Sequence, residues 1–285
     1  MKRLTTISEW RTYAQSLRDV GRRVGVVPTM GALHEGHLSL VRRARDNGAV
    51  VLLTSFVNPR QFSDPSDLAG YPRTPEIDDE LAAGAGVDAL VTPSLREMWP
   101  DYPRPTLTTV SVSELAAPLE GVGRPGHFDG VASVVAKLLA ITGPARAYFG
   151  EKDFQQLVVV RRMVRDLGFD VDVVGCTTLR AASGLALSSR NARLSVDGLQ
   201  RATALSRALR AAASSKRPPS GCREIMREVM DSAGVEVAYA DVVDIETLTP
   251  VDDRATGRAR AVVAGFVDGV RLIDNVEIDF ETGGG

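Results

Sequence analysis

Val24 to Asn47 reads V-G-V-V-P-T-M-G-A-L-H-E-G-H-L-S-L-V-R-R-A-R-D-N, and its hydrophobic period changes partway along. Val24, Val26 and Val27 form a short apolar run closed by Pro28, the pattern of a buried strand. From His37 onward Leu38, Leu40, Val41 and Ala44 recur against Arg42, Arg43 and Arg45 at helical spacing. The stretch therefore predicts a strand, a tight turn and a helix. Gly31 and Gly36 let the backbone approach a ligand closely, and a helix start offers N–H groups and a positive dipole end to an anion. His34 and His37 lie three apart in that turn. Two such imidazoles can hold a metal, move protons, or donate to phosphate oxygens. Only one other histidine, His127, exists, and Cys176 and Cys222 stand in unrelated contexts, so phosphate contact is the favoured reading.

Working outward, residues 7 to 18 read as a helix with Ser8 as N-cap and Trp10, Tyr13 and Leu17 inward. Ala49 to Val57 is a nearly continuous apolar run, as expected of a parallel strand covered on both faces, and it completes a βαβ unit. Pro59 stops that strand and leaves Asn58 and Gln61 at the carboxyl edge of the sheet, where ligands sit in open α/β folds. Thr74 and Pro75 read as N-cap and first residue of a helix whose Asp78, Asp79 and Glu80 are partners of its dipole, with one of them open to a nucleotide-bound Mg²⁺.

Val87 to Thr92 is a third apolar segment. The Pro-rich stretch 93 to 105, with Met98, Trp99 and Tyr102, reads as a binding lid or an interface arm. A glycine-dense turn, 121 to 130, leads into a helix from Val131 to Ile141, with Arg124 and His127 at its mouth placed for an anion. Ala145 to Phe149 is a strand. Gly150, Glu151, Lys152 and Asp153 then turn it into another helix, with Lys152 placed against phosphate and Gln156 a turn further on. Val171 to Val174 is the last core strand, and Ser188, Ser189, Arg190 and Asn191 form a loop able to wrap a polyphosphate. Beyond it come helices at 196 to 213 and 222 to 232, then strands at 235 to 245, 259 to 267 and 270 to 280. Asp268-Gly269 is a hairpin signal between the last two. Gly283 to Gly285 reads as a frayed end. Two domains are expected, 1–182 as a catalytic α/β domain and 183–285 as a smaller α+β cap.

The 285 residues are 44% hydrophobic and carry a net charge of −2, which argues against a nucleic-acid or membrane surface and for a small substrate. Neither a secretory signal nor an 18-residue apolar run is visible, so a cytoplasmic protein with reduced thiols is expected.

The motifs V-P-T-M-G-A-L-H-E-G-H, F-V-N-P-R-Q-F, Y-P-R-T-P, G-E-K-D-F-Q-Q and L-S-S-R-N occur in this order over about residues 3 to 280. Together they resemble the pantoate–β-alanine ligase family. That resemblance implies a Rossmann-like nucleotidyltransferase domain, a homodimer, and ATP-dependent condensation of (R)-pantoate with β-alanine through a pantoyl-adenylate, with Mg²⁺ required. Carried onto this chain, Met30, Gly31, Ala32, Leu33, His34, Glu35, Gly36 and His37 would form the ATP loop, with His34, His37 and Lys152 catalytic. Lys152, Ser188, Ser189 and Arg190 would hold the triphosphate, and Gly150, Glu151, Asp153, Leu179 and Leu187 would complete the nucleotide site. Gln61 and Gln156 would grip pantoate with Asn58 nearby, Gln61 also facing β-alanine, and Asp78 would lie near Mg²⁺. Three positions depart from the family pattern: Ser183 where Asp is common, Ala181 where Glu is frequent, and Leu187 where Met often stands. A related enzyme, a cytidylyl- or adenylyltransferase with a phosphorylated acceptor, is the rival reading.

Overall fold

The computed structural model describes residues 1–280; the expected frayed end at Gly283 to Gly285 lies outside them. The chain divides into two compact units, Met1–Glu151 with Gln155–Thr177, and Lys152–Phe154 with the residues from Thr178 onward.

The first unit is built on a six-stranded sheet in the order β1-β4-β3-β2-β5-β6. Its strands are β1 (Lys2–Leu4), β2 (Val24–Thr29), β3 (Val50–Ser55), β4 (Ala89–Val91), β5 (Ala145–Gly150) and β6 (Val171–Cys176), and every pairing is parallel. Strands covered on both faces need side chains that are apolar throughout, and Val50, Val51, Leu52 and Leu53 are all buried, as are Val24, Val26 and Val27. This is the α/β sheet expected from the sequence. β1 was not legible there, because three residues carry too little period to read. From β2 the chain moves to β3 on one side, while β5 lies on the other. That reversal makes β2 and β5 the switch point of the sheet, beyond whose carboxyl ends open α/β folds bind ligands.

Helix boundaries correct several sequence readings. The first helix runs Ile7–Asp19 and is capped by Thr6 rather than Ser8, because Glu9 reaches back to the Thr6 amide and closes a capping box. The helix expected from Val131 starts at His127 and runs to Thr142, with thirteen buried residues. Met98 and Trp99, expected on a lid or arm, are buried, whereas Tyr102 is exposed.

The second unit is a three-stranded antiparallel sheet of β7 (Glu236–Val243), β8 (Gly257–Val267) and β9 (Val270–Phe280), in the order β7-β8-β9. Helices Val196–Ser214 and Pro219–Ser232 pack Leu205, Leu209, Met226 and Met230 into one core with Val263 and Ile278 of the sheet. Asp268 and Gly269, at φ of 51° and 71°, make the hairpin turn the sequence signalled. Both cysteines are free and buried, and burial pushes the Cys176 thiol up to about 11, so neither side chain is a nucleophile at neutral pH.

One close approach ties the sheet edge to the helix His127–Thr142. A β carbon on Gly130 would stand 2.2 Å from the Arg60 carbonyl oxygen and 2.7 Å from the Gln61 Cα, both backbone atoms. Gly130→Ala is expected to destabilise the fold by about 1–3 kcal/mol, seen as a lower urea midpoint at unchanged slope. An unaltered midpoint would show that the two backbones do not meet there.

Candidate active site

The loop after β2 is held by side chains. Thr29 Oγ1 accepts the Gly31 N–H at 3.2 Å and itself donates to the Thr54 carbonyl at 2.7 Å. Asp78, on the helix Pro75–Gly84, accepts Ala32 N–H on Oδ2 at 2.9 Å and Leu33 N–H on Oδ1 at 2.7 Å. His37 Nδ1 then accepts the His34 N–H at 3.4 Å, and His34 Nδ1 accepts the Gly36 N–H at 3.1 Å. Four consecutive backbone donors, Gly31 to His34, therefore face side-chain acceptors. The sequence reading offered the N–H groups of the helix start to an anion; the loop amides just ahead of that helix are engaged internally.

The helix that follows spans Glu35–Asp46, two residues earlier at its start than the pattern from His37 indicated, because His34 serves as its N-cap and His37 as the third residue of the capping box. The two rings lie 4.0 Å apart at 34°. A nitrogen that accepts an N–H carries no proton, so Nδ1 is bare in both rings and the neutral imidazole bears its hydrogen on Nε2. Each histidine is thereby set as an Nε2–H donor. Glu35 is exposed and paired with Arg42 along the helix surface.

A second cluster surrounds Gln61. Asn58 is 1% exposed, and its Nδ2 donates to Gln61 Oε1 and to the Gly130 carbonyl, both at 3.1 Å. Asn58 Oδ1 accepts the Trp99 indole N–H at 3.0 Å and the Arg60 amide at 3.3 Å. Gln61 Nε2 donates to Met30 Sδ at 3.1 Å, leaving a second hydrogen on the same nitrogen to offer. The Gln61 amide orientation is therefore set: oxygen toward Asn58, nitrogen toward Met30. The Trp99 ring is flanked by Arg60 at 4.9 Å and Lys137 at 5.0 Å, and burial draws the Lys137 ammonium below the usual lysine range.

His127, expected to face an anion, is buried and turned inward. The Gln61 carbonyl can only accept, so His127 Nδ1 carries the proton in their 2.7 Å bond, and Nε2 then accepts from Arg124 at 3.0 Å. Gln156 lies half-buried in the first turn of the helix Phe154–Leu167, while its neighbour Gln155 is buried and bonds the Leu115 and Pro118 carbonyls and the Glu120 amide. Gly150 ends β5, with nothing within 4 Å of a β carbon placed on it, and Glu151 opens the short turn Glu151–Asp153.

In the second unit Lys152 is largely buried, its Nζ 3.9 Å from Asp153 Oδ1 and its carbonyl accepting from Asn275 Nδ2 at 2.8 Å. Leu187 N–H bonds the Leu179 carbonyl at 3.0 Å, and the neighbouring Arg180 pairs with Ala186 as an antiparallel bridge. Ser188 Oγ accepts the Arg190 amide at 3.2 Å and so caps the turn Ser189–Arg193, while Asn191 Nδ2 ties it to the Ala186 carbonyl. Arg180 grips the buried Asp274 through two nitrogens at 2.6 and 2.9 Å and fixes the base of this loop. At the departure from the family pattern, Ser183 Oγ accepts the Leu185 amide at 3.5 Å, a bond internal to the turn.

Trp99, Thr29, Thr74 and Arg180 were not singled out as site residues from the sequence. None of them carried a usable signal: that a buried indole N–H needs an acceptor applies to Trp99 only once its burial is known.

Comparison with known proteins bears on the whole chain. The family described as pantoate-beta-alanine ligase matches residues 2–277. Proteins named pantothenate synthetase from Cereibacter sphaeroides and Paracoccus denitrificans are 52% and 50% identical, over 96% and 95% of this chain and 99% and 96% of theirs. Among solved structures, pantothenate synthetase from Thermus thermophilus superposes with a TM-score of 0.88 at 46% identity, covering 97% of this chain and 99% of that one. The Francisella tularensis pantoate-beta-alanine ligase, described as complexed with beta-gamma ATP and beta-alanine, gives 0.81 at 34% identity, covering 97% of both chains. With the five motifs on one parallel sheet and its appended antiparallel unit, and with likeness over nearly the full length, this chain belongs to the pantoate-beta-alanine ligase family.

Proposed function

We propose that the chain joins (R)-pantoate to β-alanine in two steps at the expense of ATP. A pantoate carboxylate oxygen attacks the α-phosphorus, the bond to the bridging β-phosphate oxygen breaks, and pyrophosphate leaves. The uncharged amine of β-alanine then attacks the acyl carbon of the pantoyl-adenylate, AMP departs with its oxygen, and the nitrogen loses a proton. Pantothenate, AMP and pyrophosphate are the products.

The observation that carries this reading is the pair of imidazoles locked with Nδ1 inward. Attack at phosphorus builds negative charge on the phosphate oxygens, and donors fixed beforehand stabilise that charge without reorganising. His34 and His37 supply two such donors through Nε2. His37 also has a hydrogen to give toward the departing pyrophosphate, although stabilising charge is the larger effect. Lys152, Ser188, Ser189 and Arg190 are assigned to the triphosphate. Gly150, Glu151, Asp153, Leu179 and Leu187 are assigned to the rest of the nucleotide, together with Met30 to Gly36. Gln61 and Gln156 take pantoate, and no nucleophilic side chain is needed because positioning the carboxylate is most of the task.

Magnesium belongs to the same proposal, as the companion of the triphosphate that neutralises phosphate charge. In this reading the ATP phosphates supply most of that ion's ligands. The reading also includes a homodimer, a cytoplasmic location, and a catalytic domain through residue 182 followed by a cap from 183. No helix among the described residues is long and apolar enough to cross a membrane.

Incubation with ATP, Mg²⁺ and pantoate, with β-alanine withheld, is expected to give exchange of labelled pyrophosphate into ATP and a trapped acyl-adenylate. Exchange that needs a phosphorylated acceptor instead of pantoate would transfer the chain to the rival activity. His37→Ala should lower kcat about 100-fold or more while the far-ultraviolet spectrum stays that of the parent, and retained turnover would refute its role. Trp99→Phe keeps the ring but removes the donor to Asn58. It should raise the KM for pantoate about three- to tenfold and leave the KM for ATP unmoved, whereas equal KM values in parent and variant would detach Trp99 from the acid site.

A further inference from the structure

The resemblance places Asp78 near Mg²⁺, but its surroundings give it other work. The residue is 4% exposed and sits one turn into the helix Pro75–Gly84. Oδ2 accepts from Ala32, and Oδ1 accepts both from Leu33 and from the Thr74 hydroxyl at 3.1 Å. Thr74 caps its helix by position yet makes no side-chain bond to a helix amide, because its hydroxyl is turned onto Asp78. Three of the carboxylate's roughly four lone-pair sites are thus occupied. A magnesium ion demands a short oxygen contact in near-octahedral geometry and is reluctant to shed water. Drawing Asp78 toward such an ion would uncouple two backbone donors in a buried turn.

That turn needs an external hold. Gly31 and Ala32 have φ of +78° and +48°, so two successive residues are left-handed and the second is not glycine. A β carbon at Gly31 would lie 2.9 Å from Asp78 Oδ2, so glycine there is what lets the carboxylate come close. The amides the carboxylate binds immediately precede His34. We propose that Asp78 is a positioning residue that fixes the Met30–Leu33 turn, and through it the two imidazoles, and that it is not a magnesium ligand. This rests on the ATP-dependent reading above, but its direct readout does not.

Asp78→Asn is nearly isosteric and turns one acceptor into an amide NH₂ facing a backbone N–H. In the full-length protein without nucleotide or metal, amide hydrogen exchange at Ala32 and Leu33 should accelerate about tenfold or more. ATP affinity should fall about tenfold, by the same factor in EDTA as in excess Mg²⁺, while the Mg²⁺ concentration giving half-maximal turnover at saturating ATP stays put. Thr74→Val, which leaves the carboxylate intact and removes only the hydroxyl on Oδ1, should shift exchange and ATP affinity in the same direction by a smaller factor. It also keeps the test available if Asp78→Asn fails to fold. An unchanged metal-free ATP affinity with a Mg²⁺ requirement raised tenfold would make Asp78 a ligand and overturn the proposal. Unaltered Ala32 and Leu33 exchange in either folded variant would overturn it as well. Failure of the parent protein to exchange pyrophosphate would sink the ATP-dependent reading while leaving the exchange result to be judged separately.

Discussion

Four adjacent peptide N–H groups, from Gly31 to His34, are each bonded to a side chain, and the geometry of the β2 turn depends on that fact. The acceptors come from the end of β2, from the helix Pro75–Gly84 and from the helix the turn itself begins. A loop with glycine and alanine in left-handed conformations would otherwise sample many shapes, and ordering each residue costs on the order of 1–2 kcal/mol. With its donors engaged, the turn has few alternatives. The proposed phosphate contact then rests on imidazole rather than on main-chain amide.

The same logic governs the cluster around Gln61, to which pantoate is assigned in the proposal. A glutamine amide has a donor end and an acceptor end, and exchanging them would reverse what it offers a carboxylate or hydroxyl. Gln61 is kept from flipping by Asn58, which is kept from flipping in turn by the indole N–H of Trp99 and by the Gly130 carbonyl. His127 holds the Gln61 backbone from the other side. None of these bonds is strong alone, with a typical net worth of about 1 kcal/mol, but buried together they make the inverted arrangement leave several polar groups unpaired. Conformational uniqueness, more than stability, is what such a network contributes.

In the second unit an ion pair takes the corresponding part. Arg180 and Asp274, the latter 3% exposed, anchor the strand-like segment that leads to Ser188. Removing one partner would leave a buried charge uncompensated, so the pair acts as a fixed peg for the loop. The Ser183 departure falls within this turn and is absorbed by a local hydroxyl bond, with Gly184 supplying a φ of +89° beside it. The turn keeps its own hydrogen bonding with serine at position 183.

What the residues alone determined was local in origin. Strand, turn and helix around Gly31 to His37, the buried run at Val50 to Leu53, the hairpin at Asp268-Gly269 and the change from parallel to antiparallel architecture were all legible, because period and glycine or proline punctuation act over a few residues. The family motifs added the chemistry. Three-residue β1, the Thr6 cap and the inward turn of Met98 and Trp99 were not legible, since each rests on what the segment meets. The acceptor for Leu33 is 45 positions away in sequence and the partner of the Gln61 carbonyl 66 away. Only tertiary structure decided that Asp78 bonds the loop, that His127 faces a carbonyl, and which nitrogen of His34 and His37 bears the proton. A side chain's chemistry is written in its own letter, but the direction it points is set by neighbours brought close through folding.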